Sequence, residues 1–585
     1  MTTVDAPLPA ATLAVGANRK LRKAPGLMGL ALATPLTIWL IAAFVAPFLT
    51  VALLSLHEFA DPFAPLFQPL SLAQFRALAE DPFYLRVIIE TMTLAGGVTL
   101  VTILLGYPLA LWLVGLPMKW RPLGFAVILI PLLTNVVVRS LGIVLLLAPD
   151  GLINSALSPI GLGPFRSMLY TPGAVAIALA QVFMPFMVLA LYDVLQGTSP
   201  RVHEAAESLG ASRMTRLLLI DLPLSLPGLR AGTIIVFLMA STAYVSANIL
   251  GGKKVLTTGM LIWQEALQNL NAPIAAALAL LMTCASTLFA LAVFIVVKRL
   301  TPWKEQRPAT AITLPLWSLR ALDLIGPLLG KLLLAAALLL LLLPLALVVV
   351  QSFNDVPQAT VAGFRNFTWK WHANVLFGGA WRDSFLISAQ LALASALVAI
   401  ALALPAAFAL SRYRFRGLTA LSAFWTLPLA LPHVAIGVGM LRLLGVYTAL
   451  PPFLGLMGVH VVLILPFAIS LLHASVEQLD RAQEEAAQSL GANGPQRLFL
   501  IILPGLAPGL SATFIMSFLL SFGEVTVTSF LTTARMTTLP VRIYSEASFS
   551  LEPTVHAIAT LLIITTMLAL LVLNKLVRLD RLYAR

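Results

Sequence analysis

Charge is scarce in this sequence. Only 10% of the 585 residues are Asp, Glu, Lys or Arg, while 59% are hydrophobic and the mean hydropathy is +0.96. Soluble globular domains carry about a quarter of their residues as charged side chains, so this chain belongs in a bilayer. Cysteine is almost missing as well: the single Cys284 lies in an apolar run and excludes an intrachain disulfide framework. The sequence has no phosphate-cradling G-x-x-x-x-G-K-[ST] loop. Its nearest approach, GPLLGKL at 326–332, has the wrong spacing and a leucine in place of the hydroxyl. H-E-x-x-H, a Cys/His cluster of metal-ligand spacing and a G-x-S-x-G elbow are also lacking. No catalytic residue and no metal site is therefore expected, and the chain does not read as an enzyme.

What fills the sequence instead is a series of apolar runs long enough to cross a membrane, at 27–56, 85–114, 123–148, 172–196, 229–250 and 273–297. A second set follows at 331–352, 385–410, 418–444, 454–474, 510–532 and 555–577. Twelve runs in two sixes predict an all-α polytopic membrane protein built from a first half at 27–297 and a second at 331–585. A cytosolic lead at 1–26 precedes them and a polar cytosolic linker at 298–330 joins them. The first run is too long for a signal-peptide core and reads as a retained anchor. With the N-terminus placed in the cytosol, 25 of the 37 Lys and Arg residues fall inside, 11 outside, and Arg139 within a span. That bias obeys the positive-inside rule and puts both termini in the cytosol. It also accounts for the net charge of +13 without nucleic acid.

The two halves share one stretch. EAAESLGASRMTRLLLIDLPLSLPG at 204–228 recurs as EAAQSLGANGPQRLFLIILPGLAPG at 485–509, at a constant offset of 281 and with 15 of 25 positions identical. Glu204, Ala205 and Ala206, like Glu485, Ala486 and Ala487, are helix formers whose small alanines let another surface approach closely. Ser199 followed by Pro200 predicts an N-cap with proline at the first helical position, and Asp480 with Gln483 a capping box. Gly210 and Gly491 supply a turn, after which a second helix leads into the next span. An ordinary amphipathic surface helix has no reason to recur at the same place in both halves.

This pattern, E-A-A, three residues, G, then I-x-L-P, resembles the EAA loop of the membrane subunits of binding-protein-dependent ABC importers. The resemblance extends to LGYPLALWL at 105–113, PLLTNVVVRSLG at 131–142, LYTPGAVAIALAQVFMPFMVLALY at 169–192 and YVSANILGG at 244–252, which look like the first spermidine/putrescine permease subunit. SFGEVTVTSFL at 521–531 and TLPVRIYSEASFSLEPTVHAIATLL at 538–562 look like its partner subunit. It implies a fused permease of a bacterial inner membrane, with two six-helix halves about a pseudo-two-fold axis along the membrane normal. The loops at 197–228 and 477–509 would then dock two cytosolic ATPase subunits, through Glu204, Ala205, Ala206 and Gly210 and through Glu485, Ala486, Ala487 and Gly491. ATP and Mg would be bound by those partners, with no cofactor in this chain, and an extracytoplasmic binding protein would deliver a small polar solute. The resemblance points to a polyamine-like solute. Only Glu524 remains of the acidic residues the polyamine subunits carry near Asn248 and Gly523, which leaves an aminophosphonate, thiamine or ferric ion as alternatives. An ion-coupled secondary transporter is the rival class, and the paired EAA loops argue against it.

Ionisable and polar groups within spans are candidates for the solute path. Ser517, Ser521, Glu524 and Thr528 recur at helical spacing in the eleventh run, and Ser241, Tyr244 and Asn248 in the fifth, so each set is expected on one helical face. The bland alternative for the hydroxyls is interhelical hydrogen bonding. Arg139 is expected to pair with a carboxylate as a strut, with binding of an anionic group or a place near the outer headgroups as alternatives. Glu90 reads as interfacial, and Glu265, Glu546, Trp263 and Tyr544 as outer-loop residues near a docking receptor or lipid.

Overall fold

The computed structural model describes residues 24–58, 67, 69–161, 168–252, 254–300, 316–359, 363–429, 431–447, 450–549 and 552–577. Most of the N-terminal lead, the centre of the linker and the basic C-terminal residues lie outside them. Among the described residues the regular structure is helical apart from one parallel pairing of Ala24–Pro25 with Tyr413–Arg414 and isolated bridges. Among the same residues eleven helices are long and apolar enough to cross a membrane, and a bent pair makes up to twelve. We number them as spans in chain order.

The first half contains Leu27–Leu54, Pro82–Gly115, Val136–Leu157, Pro172–Leu195, Arg213–Ser241 and Ala272–Arg299; the short apolar helix Arg121–Leu133 leads into the third. The second contains Ile325–Gln351, Gly379–Arg412, the pair Leu418–Leu429 and His433–Gly445 bent by 88°, Pro452–Gln478, Gly494–Phe522 and Thr554–Val572. The repeat runs through the helices: spans two and eight are both 34 residues long at an offset of 297, and Pro185 in span four matches Pro466 in span ten at 281.

Four spans are discontinuous, which corrects the reading of them as single runs. Span three breaks at Thr134–Asn135, where the Asn135 side chain accepts from Val137 N at 2.7 Å and starts a new helix. Its counterpart, span nine, breaks between Leu429 and His433. Spans five and eleven begin much earlier than hydropathy places them, at Arg213 and Gly494, and stop at Ser241 and Phe522. Short separate helices, Val245–Gly251 and Thr528–Leu531, follow these stops. Window hydropathy cannot see such breaks, because the residues on both sides are equally apolar.

Each half also lends its first span to the other. Span one packs its Ala33, Leu36, Leu40 and Phe44 into one core with Ala399, Ala403, Trp425 and Val459 of the second half, and Trp425 Nε1 donates to Thr37 Oγ1 at 3.2 Å. Span seven does the same to the first half, with Leu341 and Val348 in its core. The crossings depend on glycine. A Cβ on Gly142 would lie 2.3 Å from the Pro344 carbonyl oxygen, and a Cβ on Gly439 would lie 2.2 Å from that of Pro47. At the offset of 297, Gly142 corresponds to Gly439 and Pro47 to Pro344, so one close contact is built twice. Small residues permit such backbone approach in membranes, where packing replaces the hydrophobic drive between helices.

Candidate functional site

Two regions stand out, one at the repeated loops and one where the broken spans meet. In the first loop Pro200–Ser208 is a helix, followed by a turn at Gly210 with φ +77° and a second helix that starts at Arg213. The second loop repeats this with Arg481–Ser489, Gly491 at φ +87° and a helix starting at Gly494. Only glycine adopts this left-handed backbone without strain. Ala206 and Ala487 face inward and are buried, while Glu204, Ala205, Glu485 and Ala486 are exposed.

The caps differ in detail from expectation. Ser199 sits at the N-cap position but its side chain accepts no cap bond. Asp480 caps through Ala482 N at 2.9 Å without a box, and the box forms instead between Asn493 and Gln496. The loops are braced by Arg412 to Glu484 at 2.7 Å in the second half and by His203 to Asp221 at 2.7 Å in the first. Sequence reading passed over Leu209 and Leu490, which occupy equivalent positions before the turn glycines and are each 88% exposed. A leucine that projects alone from a polar loop is a ready anchor for a partner's pocket.

The helix leaving each loop is long. Arg213–Ser241 and Gly494–Phe522 have 29 residues apiece, roughly 43 Å of helix at 1.5 Å per residue. Each contains a five-residue π-helical segment at the same repeat position, Leu217–Asp221 and Leu498–Ile502. Both helices end at the second region.

That region is a cavity of about 220 Å³ between the halves. The breaks of all four discontinuous spans reach it: Leu132, Val136 and Arg139 from span three, Leu238 to Ser246 around the end of span five, Leu429, Leu431 and His433 from span nine, and Leu520, Gly523 and Glu524 from span eleven. Val182, Phe183 and Phe186 of span four complete one wall. A bond from Asn135 Nδ2 to the Gly523 carbonyl at 3.2 Å ties the halves together at its edge.

Of the residues singled out for the path, Glu524 and Tyr244 line this cavity. The proposed helical faces do not exist, because span eleven stops at Phe522 and span five at Ser241. Beyond its helix end, Glu524 turns back as a cap: Oε1 accepts from Val527 N at 2.8 Å and Oε2 from Thr528 N at 2.9 Å and from the Thr528 hydroxyl. Ser521 and Thr528 serve His460, whose Nδ1 and Nε2 lie 2.7 and 2.9 Å from their oxygens. Since Thr528 gives its one proton to Glu524, His460 donates from Nε2 and accepts from Ser521. Ser241 bonds to Ser286 at 3.0 Å, and Ser517 is buried in the helix packing. Asn248 Nδ2 donates to the Tyr544 hydroxyl, which donates in turn to Tyr244 at 2.7 Å.

Two further expectations change. Arg139, 5% exposed, has no carboxylate partner among the described residues; it donates from Nη1 to the Val182 carbonyl at 3.2 Å, and its Nε has no partner. Tyr544 and Glu265 are buried rather than presented to lipid or receptor, and Trp263 stacks on Tyr244 with ring centroids 5.5 Å apart. Glu90 pairs with Arg86 at 2.8 Å on an exposed face.

The chain is similar to known membrane transport proteins. The profile of the family described as binding-protein-dependent transport system inner membrane component matches residues 99–306 and again 397–579. The spermidine/putrescine transport system permease protein PotB of Haemophilus influenzae is 35% identical over 217 residues, 37% of this chain and 74% of that protein. The corresponding PotC of Escherichia coli is 30% identical over 262 residues, 44% of this chain and 97% of that protein. A solved bacterial ABC transporter involved in the import of the acidic polysaccharide alginate is similar over 46% of this chain and 95% of its own, at 20% identity and a TM-score of 0.40.

Proposed function

We propose, from the premise that this chain belongs to the family of binding-protein-dependent transport system inner membrane components, that it is both permease halves of one ABC importer, fused. The importer-permease class follows from the family; the parts it works with are our reading. Two cytosolic ATPase subunits dock on the loops at 197–228 and 477–509, which puts both termini in the cytosol, and bind the ATP and Mg. Glu204, Ala205, Ala206 and Gly210, with Glu485, Ala486, Ala487 and Gly491, form the docking surface. A binding protein on the opposite side hands over a small polar solute.

One observation carries this reading. Each repeated loop continues without interruption into a 29-residue helix, and both helices end at the same inter-half cavity. A push on the loops is thereby delivered at the cavity wall. The matched π-helical segments sit near the loop end of each rod, where a local unwinding can absorb or release a shift. The cavity exceeds the roughly 150 Å³ that admits a benzene-sized guest, so it suits one small solute. Glu524 offers a carboxylate to a cationic group of that solute.

Reconstitution tests it. Vesicles holding this chain with its ATPase and binding protein should accumulate solute only with ATP, and vesicles holding this chain alone should not accumulate it under any ion gradient. Gradient-driven accumulation by the chain alone would make it a secondary transporter.

A further inference from the structure

Two of the places where the permease repeat is broken in charge face the cavity. At the offset of 297 that places Pro82 on Gly379, Arg139 falls on Ile436; at the offset of 281 that relates the loops, Glu524 falls on Ala243. The first half thus contributes a cation with no counterpart in the second, and the second an anion with no counterpart in the first. The cavity is lined by both.

The two charges are not equally satisfied. Glu524 already accepts three bonds from Val527 and Thr528, so much of its charge is spent on capping. Arg139 holds five N–H donors in a fixed fork, and in this structure one of them reaches the Val182 carbonyl while Nε is buried without a partner. A guanidinium kept from water and left unpaired is costly, which is why intramembrane arginines pair or line functional cavities.

We propose, on the strength of the importer reading above, that the solute is a compact zwitterion. Its carboxylate or phosphonate is received by Arg139 and its ammonium group lies toward Glu524. A planar guanidinium fork suits bidentate recognition of such an anion. A dication in the same small space would set one ammonium group against Arg139, so a plain diamine is disfavoured here.

The test is binding of defined probes to the purified full chain in lipid nanodiscs, read by scintillation proximity or thermal shift. The probes are putrescine, 4-aminobutyrate and 3-aminopropylphosphonate. At least one of the two zwitterions should bind tenfold or more tightly than putrescine. Arg139→Gln should abolish that preference and Arg139→Lys restore part of it, with each variant first checked for a single monodisperse peak. Putrescine binding that depends on Glu524 and ignores Arg139→Gln would overturn the zwitterion assignment and leave the importer reading standing. If no probe binds, and the assembled importer transports none of them, the cavity is not a solute site of this kind and the assignment falls. Gradient-driven uptake by the chain alone would instead sink the importer reading itself.

Discussion

The Tyr544 hydroxyl donates to the Tyr244 hydroxyl at 2.7 Å, joining residues that lie 300 positions apart and in opposite halves. Asn248 donates to the same Tyr544 oxygen, and Trp263 stacks on Tyr244. Tyr244 itself lines the cavity. In chain order this cluster follows the ends of spans five and eleven, whereas the repeated loops precede their starts. The bridge therefore lies beside the cavity at the helix ends remote from the loops, where it is expected to part when the halves open.

Tyr544→Phe removes the shared hydroxyl and leaves Asn248 and Tyr244 without it. The loss of buried bonds should destabilise the resting state by roughly 1–3 kcal/mol. In a Cys284→Ser background, a cysteine placed at Thr242 should become more reactive to a membrane-impermeant thiol reagent applied from the remote side. Unchanged reactivity would mean the bridge does not gate the cavity.

Gly142→Val should be among the most damaging single changes in the chain. Its Cβ would meet the Pro344 carbonyl oxygen at 2.3 Å, and backbone cannot swing aside as a flexible side chain can. Overpacking of this kind costs roughly 1–3 kcal/mol or more. Thermal unfolding in detergent should show it, and Gly439→Val against Pro47 should match it, while Gly330→Val, with open space at its Cβ, should be near neutral.

Leu209→Asp and Leu490→Asp together should leave the chain's own melting temperature unaltered, because each leucine is 88% exposed and surface changes seldom exceed about 0.5 kcal/mol. Binding to the ATPase subunits should fall about 30-fold or more, the loss of a central anchor worth ~2 kcal/mol. Pull-down with the tagged ATPase measures it.

Glu524→Gln keeps the shape and removes the charge. Weakening the cap on Val527 and Thr528 should cost about 0.5–2 kcal/mol of local stability, visible by denaturant unfolding. Solute uptake should fall at least tenfold, with the chain still present in the membrane.

The organisation of the molecule was legible in the sequence because its signals are local. Hydropathy exposes spans one at a time, and the copied E-A-A segment with Gly210 and Gly491 marks the helix-turn-helix loops directly. The cavity was harder to read. Ser517, Ser521, Glu524 and Thr528 have helical spacing, yet Glu524 uses its carboxylate to start a new helix at Val527 and Thr528, and spacing cannot distinguish a continuing helix from a cap that restarts one. Arg139 was visible as an oddity, but its lack of a carboxylate emerges only from the packing of spans three and four. The exchange of spans one and seven had no local signal, since Gly142 and Pro344 are 202 positions apart.

Energy is expected to enter the molecule through the two loops. Glu204→Arg and Glu485→Arg, introduced together into the assembled importer, reverse the charge at each exposed docking position without touching the cavity. ATP-driven solute accumulation in vesicles, normalised to the amount of chain in the membrane, is the measurement. We expect accumulation to fall to background with the chain fully inserted; accumulation at the unmodified rate would contradict the coupling role of the loops.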